Sequence, residues 1–226
     1  MTRLDTRFDD DDEPETPEDP DVPEPRGPEP KEPGDNRTLS SPINELESRL
    51  LKQRKVLIFG AINDKVARDI TARLLALANE GSAPIDIYVN SPGGHVESGD
   101  TIHDMIRFVR DSVPVRVVGT GWVASAGALI YLAGHKKNRL CLPNTRFLLH
   151  QPMGGVRGPA TDIDIEAREI IKMRERINHI IARETGQSFE KVVEDTDRNY
   201  WMSAEEAVKY GMCDRIVQSL KELEAA

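Results

Sequence analysis

A serine, a histidine and two glycine-rich turns are the residues of this 226-residue chain whose types and spacing suit acyl transfer. Ser125 stands in Gly119-Thr-Gly-Trp-Val-Ala-Ser125-Ala-Gly127, where an apolar strand gives way to glycines and a helix begins near the serine. At a helix start the backbone N–H groups lack an intrahelical partner, and the dipole favours negative charge. Those are the requirements of an oxyanion site. The same small residues also suit close helix packing with no chemistry at all. His150 ends the apolar run Arg146-Phe-Leu-Leu-His150-Gln-Pro152. Alone it reads as a structural histidine; beside a candidate serine it reads as a general base. Asn90-Ser-Pro-Gly-Gly94 follows a strand, and its glycines let the backbone approach a ligand and offer it an N–H. A tight turn is the plainer reading of that segment. No Gly-Lys-Ser/Thr follows, so it is not a phosphate loop. His95 and His103 lie eight positions apart and nothing resembles a His-Glu-x-x-His or paired Cys-x-x-Cys signature, so no catalytic metal is expected.

These residues need elements to position them. The pattern predicts a short helix at Glu45–Leu51, a strand at Arg54–Phe59, and a helix capped by Asp64 with an apolar stripe of Val66, Ile70, Leu74 and Leu77. A buried strand at Ile85–Asn90 precedes the first glycine turn. A helix carrying Ile102, Met105, Ile106 and Val109 then leads to a strand at Val113–Val118. The glycines Gly119–Gly121 lead into a helix through Ala133, followed by short strands at Arg139–Leu142 and Arg146–Leu149. Gly154–Pro159 reads as a flexible loop. A long amphipathic helix with Ile163, Ala167, Ile170, Ile171, Ile177, Ile180 and Ile181 runs to Gly186, and two short helices and a strand at Asp214–Val217 close the chain. Strands alternating with helices imply an α/β fold with largely parallel pairing.

Charge is unevenly placed. Net charge is -9. Residues 1–40 hold 14 acidic and 5 basic residues, so the remainder is formally neutral. The tail also carries eight prolines and almost no large apolar residue, and is expected to be disordered. Residues 41–226 are expected to form one globular domain. No basic surface points to nucleic acid, and no apolar run is long enough for a membrane span. Two cysteines, Cys141 and Cys213, suggest reduced thiols and a cytoplasmic protein.

Taken together the motifs resemble the ClpP protease family. The segments that carry the resemblance are Asn90–Gly94, Gly121–Gly127, Arg139–Pro143 through His150-Gln-Pro152, and Met202–Asp214. The likeness extends over residues 41 to 220. It implies a crotonase-like fold with repeated strand-strand-helix units and a protruding handle helix, here at about Thr161–Glu184. It implies a serine endopeptidase in which Ser125 attacks, His150 acts as base, and the N–H groups of Gly94 and Ala126 form the oxyanion hole. It further implies a peptidase that needs no bound cofactor, with subunits in two stacked heptameric rings, homomeric or mixed, fed with unfolded polypeptide by an AAA+ ATPase.

The chain departs from the family pattern at several positions. The third triad position, usually aspartate, falls on Asn199 in Asp195-Thr-Asp-Arg-Asn199-Tyr-Trp-Met202. An asparagine holds a histidine through its side-chain oxygen but brings no charge to stabilise imidazolium. That implies slow or partner-dependent cleavage; Asp197 substitutes only if the backbone is rearranged. The other reading is a weakly active or inactive structural subunit paired with a complete paralogue. Val123 stands where alanine is common, and the stretch Phe108–Ser125 is about two residues longer. Asp86 replaces an aromatic on a surface that the family uses to dock its ATPase, which weakens that expectation.

Overall fold

The computed structural model describes residues 42–224; the disordered tail expected at 1–40 lies outside the described residues. The elements run α1 (Pro42–Lys52), β1 (Lys55–Phe59), α2 (Asp64–Glu80), β2 (Ile85–Ser91), α3 (Val96–Arg110), β3 (Val115–Ala124), α4 (Ala126–Tyr131), β4 (Arg139–Cys141), β5 (Arg146–Leu149), α5 (Ala160–Thr185), α6 (Phe189–Thr196), β6 (Tyr200–Met202), α7 (Ala204–Tyr210), β7 (Arg215–Ile216) and α8 (Leu220–Glu224). One sheet collects the strands in the order β1-β2-β3-β4-β7, with β5 pairing both β3 and β6. Every pair is parallel except β5–β6. The α/β expectation therefore holds.

Parallel strands covered by helices read as nearly continuous apolar runs. Val56 and Ile58 on β1, Ile85, Ile87 and Val89 on β2, and Val115, Val117 and Val118 on β3 are all fully buried. Leu74 and Leu77 of α2 and Ile102 and Ile106 of α3 close the core from the helix side. Each such side chain contributes about 1.5–3 kcal/mol through burial.

Several local expectations are corrected. The cap of α2 is Asn63, not Asp64. Asn63 is the residue with extended backbone (φ -151°), and its side chain accepts the Val66 N–H. A cap must sit outside the helix while its oxygen reaches back, so Asp64 becomes the first helical residue. The strand expected to stop at Val118 continues to Ala124. Its glycines form a bulge rather than a turn: Val89 pairs with Gly119 and Ser91 with Val123, so β3 carries two extra residues there. Asn90 fills the bulge, and its Oδ1 accepts the Trp122 N–H at 3.0 Å. Gly121, at φ 58°, leaves the room that Asn90 occupies. The strand β6 was not expected; three residues leave no period to read.

Asp86 is not presented to solvent. Its carboxylate accepts from Arg116 Nε at 2.6 Å and lies 3.7 Å from Lys55 Nζ. Both cations are its register partners on β3 and β1. Cys141 and Cys213 are free and buried, with sulfurs 3.6 Å apart. No described helix is long and apolar enough to cross a membrane.

Candidate active site

Ser125 occupies the link between β3 and α4 with φ 55° and ψ -123°. Positive φ in a non-glycine residue costs about 1–3 kcal/mol and persists only where neighbours enforce it. Here its N–H donates to Leu148 O at 2.9 Å, and its carbonyl accepts from Ala128 and Leu129 at 2.9 and 3.1 Å. The sharp strand-to-helix turn is of the kind found at the nucleophile elbow of α/β-hydrolases, and Ser125 lines a cavity. Close packing makes it possible. A Cβ on Gly127 would press on Ser91 at 3.0 Å, and a Cβ on Gly93 would meet Ser125 Oγ at 3.0 Å.

That second contact brings the Asn90–Gly94 turn onto the serine. Gly94 has φ 150°, and a Cβ there would collide with the Ile62 carbonyl. The pairing of Ile62 with Gly94 uses the Gly93 carbonyl (Ile62 N–H, 2.9 Å) and the His95 N–H (to Ile62 O, 3.0 Å). The Gly94 N–H is left unspent among the described residues. Ala126 is the first residue of α4, so its N–H also lacks an intrahelical acceptor. Sequence reasoning missed Ser91, which braces this turn. Its hydroxyl donates to Gly60 O at 2.6 Å and accepts the Gly93 N–H at 3.1 Å. A serine between a strand and Pro-Gly-Gly was the available signal.

His150 and Asn199 come from the antiparallel pair β5–β6. Leu149 is opposite Tyr200, so the next facing pair is His150 and Asn199. His150 Nδ1 lies 3.0 Å from Asn199 Oδ1. That oxygen only accepts, so Nδ1 carries the proton and Nε2 keeps its lone pair. Asp197 is elsewhere. Its carboxylate accepts from Arg174 at 3.0 Å and its carbonyl from Gln151 Nε2 at 2.6 Å.

Ser125 and His150 line one cavity with Val96, Ala126, Leu149 and Ile181. Among the described residues no hydrogen bond joins Ser125 Oγ to His150; such contacts are often long in a free enzyme and tighten on substrate. A second cavity, lined by His150, Gln151, Met153, Asp197, Arg198 and Asn199, opens beside the first. The histidine on α3, His103, does not join the cavity. His103 is buried with Nδ1 2.7 Å from Leu129 O, and burial lowers its pKa. No cluster of metal-ligating side chains occurs among the described residues.

The family model described as Clp protease matches residues 40–220. The chain is 75% identical over 189 residues to the ATP-dependent Clp protease proteolytic subunit 2 of Gluconobacter oxydans, covering 84% of this chain and 85% of that one. It is 58% identical over 186 residues to proteolytic subunit 3 of Rhizobium etli, covering 82% and 95%. Among solved structures, ClpP1 from Listeria monocytogenes matches with a TM-score of 0.71 at 52% identity, over 79% of this chain and 99% of that one. An asparagine-to-aspartate variant of the same Listeria protein matches with a TM-score of 0.73.

Proposed function

This chain belongs to the Clp protease family, and on that premise we propose that it cleaves polypeptides with Ser125, His150 and Asn199 acting together. Its fold is the α/β, crotonase-like fold of that family, and its function is that of a serine protease subunit of a Clp protease. Ser125 Oγ attacks the scissile carbonyl carbon while His150 Nε2 takes the hydroxyl proton. The oxyanion accepts from the N–H groups of Gly94 and Ala126. Collapse breaks the C–N bond, and the proton on Nε2 goes to the leaving amine. Water then repeats the sequence on the acyl-serine, releasing the acid and restoring the hydroxyl.

The observation that carries this reading is the 3.0 Å contact from His150 Nδ1 to Asn199 Oδ1. It fixes the tautomer that leaves Nε2 free, in a cavity shared with Ser125. Asn199 orients the ring but does not offset imidazolium charge. In a trypsin-like enzyme the Asp→Asn change slowed turnover about 10⁴-fold because the ring took the wrong tautomer; here Asn199 Oδ1 holds the productive tautomer and only the charge is missing, so the loss is smaller. Slow intrinsic cleavage follows. The relatives' naming as proteolytic subunits supports the catalytic reading over an inactive structural one.

The finer assignments belong to the same proposal. Residues 41–226 form the peptidase domain and 1–40 an acidic tail. The subunits stack as two heptameric rings, homomeric or mixed, and an AAA+ ATPase feeds them in the cytoplasm. Exposed Ile163, Ile165 and Ile171 on α5 support its burial against another subunit. Fluorogenic peptide hydrolysis by purified assemblies tests the triad: Ser125→Ala and His150→Ala are each expected to abolish it, and retention of full activity in either refutes the assignment.

A further inference from the structure

A side-chain bridge lies behind the Gly93–Gly94 turn, and none of the catalytic steps above uses it. Ser98, in the first turn of α3, is 2% exposed. Its hydroxyl donates to Asp64 Oδ1 at 2.5 Å and lies 2.9 Å from His95 Nδ1. A hydroxyl has one proton, here given to Asp64, so the ring is the donor and His95 carries a proton on Nδ1. His95 is the N-cap residue of α3 but makes no side-chain cap bond. Its Nδ1 N–H is committed to Ser98, and its Nε2 lies 3.2 Å from Glu97 Oε2.

The anchor points of this bridge flank Gly94. Asp64 follows Ile62 by two residues, and His95 follows Gly94 directly. The two chain segments meet through an isolated backbone bridge of two hydrogen bonds, next to the Gly60 N–H bond to Asn90 O and the Ser91 hydroxyl that links Gly60 O to the Gly93 N–H. All of these ties act on the neighbours of Gly94; its own N–H, which must sit about 3 Å from a developing oxyanion, makes none among the described residues. The Asp64–Ser98–His95 bridge ties the same two segments a second time. Asp64 and His95 are solvent-facing, with side chains 90% and 55% exposed, so charge attraction between them adds little. The buried Ser98 hydroxyl is the part that water cannot readily replace.

We infer that Ser98, with Asp64 and His95, forms a positioning unit that holds the Gly94 N–H on the oxyanion of the transition state. The inference rests on the oxyanion reading proposed above. None of the three residues touches a reacting atom. Loosening Gly94 weakens a hydrogen bond made fully only in the transition state, so kcat falls and KM does not.

The test uses full-length, assembled protein and two readouts: kcat and KM on a fluorogenic peptide, and the rate of fluorophosphonate labelling. Ser98→Ala, Asp64→Ala and His95→Leu are each expected to lower kcat and labelling about three- to tenfold, less than the roughly 10²–10³ of a deleted donor. KM stays constant. The Ser98→Ala/Asp64→Ala double variant is no slower than its slower parent, because both act through one unit. His95→Asn, whose amide still donates to Ser98, recovers most of the rate. Unchanged kcat in Ser98→Ala, a loss confined to KM, or additive losses in the double variant overturns the inference. If the wild type labels at Ser125 and the variants label equally fast, the positioning unit alone is refuted. If the wild type labels elsewhere or not at all, the active-site reading falls first and this inference with it.

Discussion

The two halves of the proposed site, one around the proposed nucleophile and one around the proposed base, are built from different materials. The nucleophile half is backbone: Ser125 in a strained turn, Gly93 and Gly94 pressed against it, Gly127 against Ser91, and Ala126 at a helix start. Its geometry is over-determined by close approach, and its Ser125 and Gly94 positions admit little change. The base half is side chain: an imidazole at the end of β5 facing an amide at the start of β6, beside an open cavity and a Met153 that is 83% exposed. It is held by one hydrogen bond and the register of a short antiparallel pair. The difference teaches where tuning resides. In the nucleophile half, Ser125 and Gly94 are close to all-or-none and only the surrounding ties admit graded change, whereas the base half is adjustable at Asn199, in contact with His150 itself.

Substitutions should separate the halves by the size of their effects. Ser125→Ala removes the attacking oxygen; in subtilisin the equivalent loss costs about 10⁶-fold in kcat, and a comparable collapse of peptide hydrolysis is expected. Gly94→Ala comes next. A Cβ there collides with the Ile62 carbonyl at a φ of 150°, so the Gly94 amide is displaced. Peptide kcat should fall about 10²–10³-fold, the cost of one oxyanion donor. A Gly94→Ala enzyme of normal kcat would show that this half is softer than described.

The base half should move in both directions. Asn199→Ala frees the ring, and kcat is expected to drop about tenfold or more. Asn199→Asp supplies the missing charge and still accepts from Nδ1, and kcat is expected to rise about tenfold, well short of the roughly 10⁴ that a wrong tautomer costs. Steady-state kinetics on assembled protein reads both. If neither variant differs from wild type, Asn199 is a bystander and the comparison fails.

The smallest effect concerns His103, which supports the nucleophile half through Leu129 on α4. Burial is the main cause that lowers its pKa. The unfolded chain therefore binds this proton first as pH falls. The stabilisation is present above the ordinary histidine value near 6.5 and is lost as pH falls from there towards the depressed folded value. Thermal melts between pH 7.5 and about 5 should decline more steeply in wild type than in His103→Gln. Parallel slopes would remove His103 from the account.

Much of this contrast was legible in the sequence, and the reason differs by half. Glycines that permit close approach and a serine before Ala-Gly mark Ser125 and the Gly93-Gly94 turn as candidates, and the family pattern adds the proposed oxyanion roles of Gly94 and Ala126. His150 and Asn199 are 49 positions apart, and spacing alone could not pair them; the family pattern did. The antiparallel register explains their meeting, but β6 is too short to be read from a period of two. The bulge in β3 was hidden because Asn90, a residue of the neighbouring strand, fills it. The cap at Asn63 turned on backbone angles that two adjacent polar residues leave ambiguous. Asp86 was read as a surface group because its partners, Lys55 and Arg116, are assembled only by parallel pairing.

The measurement closest to the central claim is mass spectrometry of the assembled protein after fluorophosphonate treatment. The account predicts a single adduct on the peptide that carries Ser125, formed far more slowly in His150→Ala and faster in Asn199→Asp. An adduct on another residue, or a Ser125 adduct whose rate ignores His150, would contradict it.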